Sequence, residues 1–404
     1  MMMSSVATRV VLLVCCAHAL VHVYELALPS VEQEIASEFF ADDVEGGKTL
    51  TGQLSNSWRL MWGLGAIVAG WLVDRFGSRK LLTVYLLGCA TTCVLAAMTT
   101  QKTGLFISMI AMGAFASIYH PAGLALISRV TTPENRSRAL GLHGIFGSAG
   151  IGAAPLMVGG MLAFDSSWRQ VYGVLMMPAL VLGLVFLAQS WRGQSTSALR
   201  QATTPSAAAE QEHSDWRSFF TLTLMATLQG FVYSAVLSFL PRYLSGVELP
   251  DIPGIDLPTG SQSNFLAAGV LVLGCVGQYL AGHYARPERL EQQLALVTLC
   301  NVPFLAWMGV ADGFQRVVAA GLWATIHFMH QPIYNSLIAT YTPLKQRSLC
   351  YGFSFAMGLG LGSFGAGFAG HTLQNEIVYG TLAGVALLAS MICGLLWVWN
   401  RNAR

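Results

Sequence analysis

The sequence predicts an all-α integral membrane protein of twelve transmembrane helices in two pseudo-symmetric six-helix bundles. Three observations support this fold class: the composition, the number of long apolar runs and an internal repeat. The chain has 404 residues, of which 54% are hydrophobic and 10% charged, whereas soluble domains carry about a quarter of their residues as charged side chains. Most of the surface must therefore face a lipid bilayer. A net charge of +2 without a basic block excludes nucleic acid as a partner.

Twelve runs of roughly 20 mainly apolar residues are each long enough to cross a hydrocarbon core about 30 Å thick. They lie near residues 10–30, 52–74, 80–99, 104–128, 138–163, 168–191, 218–240, 262–284, 291–311, 314–340, 348–371 and 377–399. The first run is long, carries His18, His22 and Glu25, and would leave an odd number of spans if it were removed. We therefore expect a membrane span here and not a cleaved signal peptide.

The distribution of basic residues predicts the orientation of the spans. Sixteen of the 22 Lys and Arg residues fall on the side of the N-terminus, and one, Arg59, falls inside the second span. The opposite side has five, which are Lys48, Lys102, Arg169, Arg242 and Arg316. Because basic residues concentrate in cytoplasmic loops, we predict a multi-pass protein of the plasma membrane, the inner membrane of a bacterium, with both termini in the cytoplasm.

An internal repeat predicts the domain organisation. Pro121, Arg136 and Gly141 recur 211 residues later as Pro332, Arg347 and Gly352, and a Gly-rich span follows in each half. Between the halves lies a polar segment of linker composition. We therefore predict a first six-helix bundle over residues 1–191, a cytoplasmic linker over 192–217 and a second bundle over 218–404, related by an axis along the membrane normal.

The segment after the second span carries a motif. It reads Gly70-Trp71-Leu72-Val73-Asp74-Arg75-Phe76-Gly77-Ser78-Arg79-Lys80. Gly77 suits a tight turn, Gly70 a close helix contact, and Asp74 can pair with Arg75, Arg79 or a helix N-terminus. The segment resembles the loop signature of the major facilitator superfamily, in which this cluster is a latch that holds one conformation; the alternative is an ordinary basic loop. The equivalent segment of the second half lacks the Asp, so the expected latch is one-sided.

The fifth span resembles the helix-5 signature of proton antiporters in that superfamily. It runs Gly147-Ser148-Ala149-Gly150-Ile151-Gly152-Ala153-Ala154-Pro155, with Ala154 in place of the usual Gly. The resemblance favours antiport with a bend at Pro155, and simple packing of small residues is the alternative. The fourth span ends in Tyr119-His120-Pro121, which is similar to fosmidomycin-resistance-like exporters. The helix-4 Arg of many drug/proton antiporters is missing.

Ionisable residues inside the spans are the best indicators of a transport site, since each is costly in a bilayer unless it faces a cavity or a partner. Glu25 is an acidic residue well within the first span, and Arg59 is a basic residue within the second span. His18, His22 and Glu25 are spaced four and three residues apart and so share one helix face. We predict that this face lines the central cavity, where Glu25 and His22 exchange protons beside Arg59. Two alternatives remain open: a structural Glu25/Arg59 pair, or a Glu25 near the outer surface.

Further polar residues on other spans complete the predicted substrate- and proton-binding set. They are Tyr119, His120, His143, Gln229, Tyr233, His327, His330, Gln331 and Tyr334. Each has interhelical hydrogen bonding as an alternative role. His18, His22 and Glu25 also have metal-ligand spacing, which keeps a divalent-metal carrier open as an alternative. We predict no resident metal and no cofactor.

We therefore expect a secondary transporter of a small solute or ion, working by alternating access as a monomer. The resemblances favour proton-coupled efflux. A uniporter, a symporter and a non-transporting membrane sensor or assembly partner are the alternatives. No phosphate-binding loop and no convincing nucleophile/base pair is found, so neither ATP coupling nor enzymatic activity is predicted.

Overall fold

The computed structural model describes residues 5–191, 214–248, 257–343 and 346–403, which form helices joined by short turns and contain no strand. The first half consists of α1 (Ser5–Ser30), α2 (Glu32–Phe39), α3 (Val44–Phe76), α4 (Ser78–Met98), α5 (Lys102–Ala116), α6 (Tyr119–Val130), α7 (Pro133–Leu162) and α8 (Trp168–Trp191). Helices α5 and α6 together make one span, and α2 is the short acidic extension of the first span.

The second half repeats this arrangement. It consists of α9 (Trp216–Leu244), α10 (Thr259–Tyr284), α11 (Leu290–Val310), α12 (Gln315–Tyr341), α13 (Arg347–Phe355), α14 (Phe364–Gly370) and α15 (Asn375–Ala403). A π-helical turn at Ala356–Gly360 and a 3₁₀ turn at Leu361–Ser363 join α13 to α14 within one span. Helices α1 and α9 begin 211 residues apart, and α6 and α12 end 211 residues apart, as the sequence repeat predicts.

The twelve predicted spans all coincide with helices, with α5–α6 and α13–α14 each counted as one. Within the described residues, ten of the spans are long and apolar enough to cross a membrane by composition alone. The other two are α3, which contains Arg59, and α12, which contains His327 and His330. Their polar side chains lower their hydropathy, and these are the helices that contribute to the polar interior described below.

Local signals explain where several helices begin and end. Asp43 caps α3 by accepting a hydrogen bond of 2.8 Å from the amide of Gly46, and Asp215 caps α9 in the same way through Ser218. Gly77 ends α3 with φ +88°, which confirms the turn expected there. Residues 192–213 of the predicted linker lie outside the described residues, and α9 begins two residues before the predicted boundary at 218.

The two halves meet closely on one side of the bundle. We call the side where α1 begins and α15 ends the terminal face, and the opposite side the distal face. At the distal face the Lys48 ammonium donates to the Thr372 carbonyl (2.6 Å), Thr49 donates to the Gly370 carbonyl (3.1 Å), and the Asn264 amide donates to the Ser30 carbonyl (2.8 Å). The cross-half hydrogen bonds between described residues lie at this face or near the middle of the spans, so the distal face is closed.

Glycines permit this close approach of the halves. A Cβ at Gly52 of α3 would lie 2.7 Å from the Ala366 carbonyl oxygen of α14. A Cβ at Gly63, further along α3, would collide with the backbone of Gly360 in the π-helical turn. Any side chain at either position would push the two halves apart.

Candidate transport site

The predicted polar face of α1 carries a buried carboxylate with three partners. Glu25 has 3% of its surface exposed. Its Oε2 pairs with His22 Nδ1 at 2.8 Å, and its Oε1 accepts hydrogen bonds from Arg59 of α3 and from the Tyr233 hydroxyl of α9, the latter at 2.9 Å. The Glu25/Arg59 pair expected from the sequence is therefore formed, and Glu25 lies five residues from the end of α1 at Ser30.

The third partner joins the two halves of the molecule. Tyr233 belongs to the second half, and the Arg59 guanidinium lies 5.4 Å from the centre of its ring. Breaking a buried ion pair by removing one partner typically costs about 3–5 kcal/mol. The pair thus holds α1, α3 and α9 together, and its integrity is linked to the contact between the halves.

A group of stacked imidazoles adjoins this ion pair. The His18 ring lies 3.7 Å from the His143 ring of α7, and His18 Nδ1 is 2.7 Å from the His143 carbonyl oxygen. The Tyr119 hydroxyl donates to the Val14 carbonyl (2.9 Å) and lies 2.9 Å from His143 Nε2. Glycine makes room for this packing, since a Cβ at Gly147 would collide with the His18 ring.

His120 completes the cluster of the first half. Its ring lies 5.4 Å from the His18 ring, 6.0 Å from the His22 ring and 5.8 Å from Trp62. Its Nε2 atom is inaccessible and has no hydrogen-bond partner among the described residues. The side chains of His18, His22 and His120 bring potential metal-ligand atoms to within 4.8 Å of one another. Glu25, the third ligand suggested by sequence spacing, is not part of this group.

The predicted residues of the second half extend the polar interior. The His327 ring stacks on Trp323 at 4.7 Å and faces Tyr233 at 5.9 Å, and His330 Nδ1 lies 2.6 Å from the His327 carbonyl. Tyr334 follows, with its ring 6.4 Å from His330. Tyr233 therefore connects this group to Glu25.

Two predicted glutamines lie in different surroundings. Gln229 is 1% exposed, and neither its amide nitrogen nor its oxygen has a hydrogen-bond partner among the described residues. Gln331 is exposed and accepts from Gln278 (2.6 Å), whose own oxygen accepts from Ser148 of α7 (2.5 Å). Among the described residues, neither Gln229 nor Gln331 forms a hydrogen bond with Glu25.

The predicted latch is not engaged in this conformation. Asp74 is exposed and forms no hydrogen bond or ion pair with another described residue, so its expected pairing with Arg75 or Arg79 is absent. The Arg75 guanidinium instead lies 5.5 Å from the Trp71 ring. A Cβ on Gly70 would meet nothing within 4 Å, so close helix contact does not explain that glycine here.

The small residues of the fifth span do mediate packing. A Cβ at Gly150 would collide with the Ala19 carbonyl of α1, and one at Gly159 would come within 3.0 Å of the Phe265 ring of α10. Helix α7 continues unbroken through Pro155. This segment therefore lies between α1 of its own half and α10 of the other half.

A second buried ion pair was not predicted from the sequence. Glu32 at the start of α2 is 1% exposed and accepts two hydrogen bonds from Arg242 of α9, from Nε at 2.7 Å and from Nη2 at 2.9 Å. Thr51 also donates to Glu32 at 2.7 Å. Arg242 was assigned to the side opposite the termini because it follows the end of an apolar run. Nothing in the sequence surroundings of Glu32 and Arg242 indicated that they pair across the two halves.

Comparison with known proteins identifies the family. The family model described as the Major Facilitator Superfamily matches residues 35–367, most of the chain. The chain belongs to the major facilitator superfamily. Members of this superfamily are multi-pass membrane transporters and not enzymes, and the superfamily's twelve-helix fold confirms the predicted fold class.

The relatives and structural neighbours agree with this assignment. The chain is 25% identical over 311 residues to the puromycin resistance protein pur8 of Streptomyces alboniger, covering 74% of this chain and 58% of that protein. It is 24% identical over 352 residues to multidrug resistance protein MdtH of Yersinia pestis, covering 84% of this chain and 82% of that protein. The inward-open xylose transporter XylE from E. coli superposes with a TM-score of 0.75 at 14% identity, covering 97% and 95% of the two chains.

A peptide transporter POT in complex with alafosfalin has a TM-score of 0.74 at 13% identity, covering 97% of this chain and 94% of that chain. These structural similarities show the fold. The match spans only 58% of the puromycin resistance protein and 32% of a tetracenomycin C resistance and export protein of Streptomyces glaucescens.

Proposed function

We propose that this protein exports a small solute across the plasma membrane, the inner membrane of a bacterium, in exchange for protons. The observation that carries the proposal is the contact of the buried Glu25/Arg59 pair with Tyr233 of the opposite half. An ionisable pair within the spans is expensive and by default functional. Similarity to resistance proteins over most of the chain supports export as the direction.

The geometry suggests how exchange would be linked to alternating access. Glu25 accepts the Tyr233 hydrogen bond in the conformation with a closed distal face. A proton on Glu25 would compete with Arg59 and Tyr233 for the same oxygens, so proton binding would weaken the contact between the halves. Arg59, once released from the carboxylate, could bind an anionic group of the solute. The remaining predicted residues would line the path between the two halves.

The orientation is part of the same proposal. Sixteen basic residues on the side of the termini favour a cytoplasmic location for the terminal face. The polar residues around Glu25 would then bind the solute from the cytoplasm while the distal face is closed. We propose that a single chain performs the cycle, since each half supplies one wall of the site.

Proton flux in reconstituted vesicles tests the proposal. The protein is placed in liposomes that contain a pH-sensitive dye, a pH gradient is imposed, and puromycin is added as the first probe, followed by a panel of drugs, anions, amino acids and divalent metals. We expect solute-dependent proton movement that Glu25→Gln abolishes and Arg59→Ala reduces. His371→Gln, at an outer turn, is the control and should behave as wild type. Normal transport by Glu25→Gln with unchanged pH dependence would refute the role of Glu25.

A further inference from the structure

We propose that His18, His22 and His120 form a binding site for a divalent transition-metal ion. Their potential ligand atoms lie within 4.8 Å of one another. In a tetrahedral zinc site with bonds of about 2.0–2.1 Å, two nitrogen ligands are about 3.4 Å apart. The ligand atoms must therefore approach one another by up to about 1.4 Å to bind one ion.

The hydrogen bonds of two of the rings prepare them for a metal. His18 Nδ1 lies 2.7 Å from a carbonyl oxygen, which can only accept, so Nδ1 must carry the hydrogen. His22 Nδ1 lies 2.8 Å from a Glu25 carboxylate oxygen and likewise donates. The Nε2 atom of each neutral ring is left with a free lone pair. Donation of the other ring nitrogen to a carbonyl or a carboxylate is the usual arrangement around metal-binding histidines.

His120 supplies the third nitrogen from a different helix. Its Nε2 is inaccessible and has no hydrogen-bond partner among the described residues. Leaving such an atom unpaired is unfavourable, and coordination to a metal ion would remove that cost. Trp62 and Phe355, with ring centres 5.8 and 4.9 Å from the His120 ring, cover the site with aromatic surface. Phe355 belongs to the second half, so the cover depends on how the halves meet.

The repeat provides an internal comparison for these three positions. With the offset of 211 residues, the second half has Gln229, Tyr233 and Gln331 where the first half has His18, His22 and His120. The same helices therefore pack in the second half without imidazoles at these places. Helix packing alone does not require three histidines in the first half.

The ligand type selects the class of ion. Neutral imidazole nitrogen binds zinc, cobalt, nickel and copper, whereas magnesium and calcium prefer oxygen ligands. The Glu25 carboxylate, bonded to His22, would offset part of the metal charge. Three protein ligands leave a fourth position open for water or for a donor atom of a solute. The metal site would belong to the proposed transport site and would define the class of ligand that it binds. Metal binding can be measured in the absence of transport, so its test does not depend on proton exchange.

Cobalt absorption tests the site directly. Purified protein without a polyhistidine tag is titrated with Co²⁺ in detergent, and the visible absorption of the bound ion is followed. We expect saturation at one ion per chain, displacement by Zn²⁺ and no displacement by Mg²⁺. His22→Gln and His120→Gln should each weaken Co²⁺ binding by about 100-fold or more, since deletion of a ligand should exceed the 10–100-fold effect of losing an outer partner.

The second half offers matched controls. His327 and His330 have ring centres 5.0 Å apart, like the 5.0 Å between His18 and His22, but they lie outside the three-residue group. His327→Gln and His330→Gln should therefore keep the wild-type cobalt spectrum. Thermal unfolding of every variant verifies that it is folded.

Three results would overturn the proposal: no saturable cobalt absorption in the wild-type protein, unchanged binding in His22→Gln and His120→Gln, or equal loss in the controls. The absence of saturable cobalt absorption in the wild-type protein would refute the metal site even if some of the variants do not fold. A protein that binds Co²⁺ but moves no protons would support the metal site and refute the proposed exchange, so the two failures are distinguishable.

Discussion

The Glu32/Arg242 pair should control how often the distal face opens. Arg242 donates two hydrogen bonds to a carboxylate that is 1% exposed, and the two residues belong to different halves. Glu32→Gln removes the charge and turns one acceptor oxygen into a donor that faces the guanidinium. One charge-assisted hydrogen bond is lost, which is worth about 1.5–3 kcal/mol. Arg242 is partly exposed and can be solvated after release. We therefore expect Glu32→Gln to destabilise the distal-closed state by about 2 kcal/mol.

This free energy corresponds to a change of about 30-fold in the ratio of distal-open to distal-closed molecules. A distal-open state populated at about 1% would rise to about a quarter of the molecules. Spin labels at Ser37 and Glu248, which are exposed at the distal ends of different halves, report the change as a second, longer distance in pulsed electron resonance. The eight native cysteines are replaced by alanine for this measurement.

Glu38→Gln is the matched control for this experiment. Glu38 accepts two hydrogen bonds from Arg169, at 2.5 and 2.6 Å, but this pair joins α2 to α8 within the first half. Its loss should leave the distance distribution unchanged. The reasoning is refuted when Glu32→Gln shows the wild-type distances, or when Glu38→Gln shifts them equally.

Three further outcomes are expected. Gly52→Ala should favour the distal-open distances and cost about 1–3 kcal/mol through overpacking, whereas Gly70→Ala in the same helix, with open space around its Cβ, should be neutral or slightly stabilising in thermal unfolding. Hydrogen bonds from Arg169 lower the pKa of Glu38. The pair stabilises the folded protein by about 1 kcal/mol or less, as is usual for an exposed pair. This stabilisation is present above about pH 4.3, the ordinary pKa of Glu, and is lost as the pH falls through the lowered pKa of Glu38. The unfolding temperatures of wild type and Glu38→Gln should therefore converge in acid. Asp74→Asn should leave the unfolding temperature unchanged, since Asp74 has no ion-pair partner among the described residues. A slower transport rate would reveal a role of Asp74 as a latch in the other conformation, and an equal rate would contradict that role.

The structure also shows which interpretations of the sequence required tertiary contacts. The Asp74 motif was recognised from its spacing, yet Asp74 pairs with no described residue in this conformation. Gln229 and Gln331 were grouped with Glu25 as polar residues of the spans, but neither forms a hydrogen bond with Glu25 among the described residues. Helical phase on one chain is known only to within part of a turn, and such an error is enough to turn a side chain from the cavity to a neighbouring helix.

The sequence by itself determined the twelve spans, the repeat with its offset of 211 residues and the shared face of His18, His22 and Glu25, because lipid requires long apolar helices and helical geometry sets which residues lie together. Only the tertiary structure decided that Tyr233 joins Glu25, that His120 approaches His18 and His22, and that Glu32 pairs with Arg242. These contacts join residues 208, 102 and 210 positions apart in the chain. Such partners are selected by how whole helices pack, which local patterns do not encode.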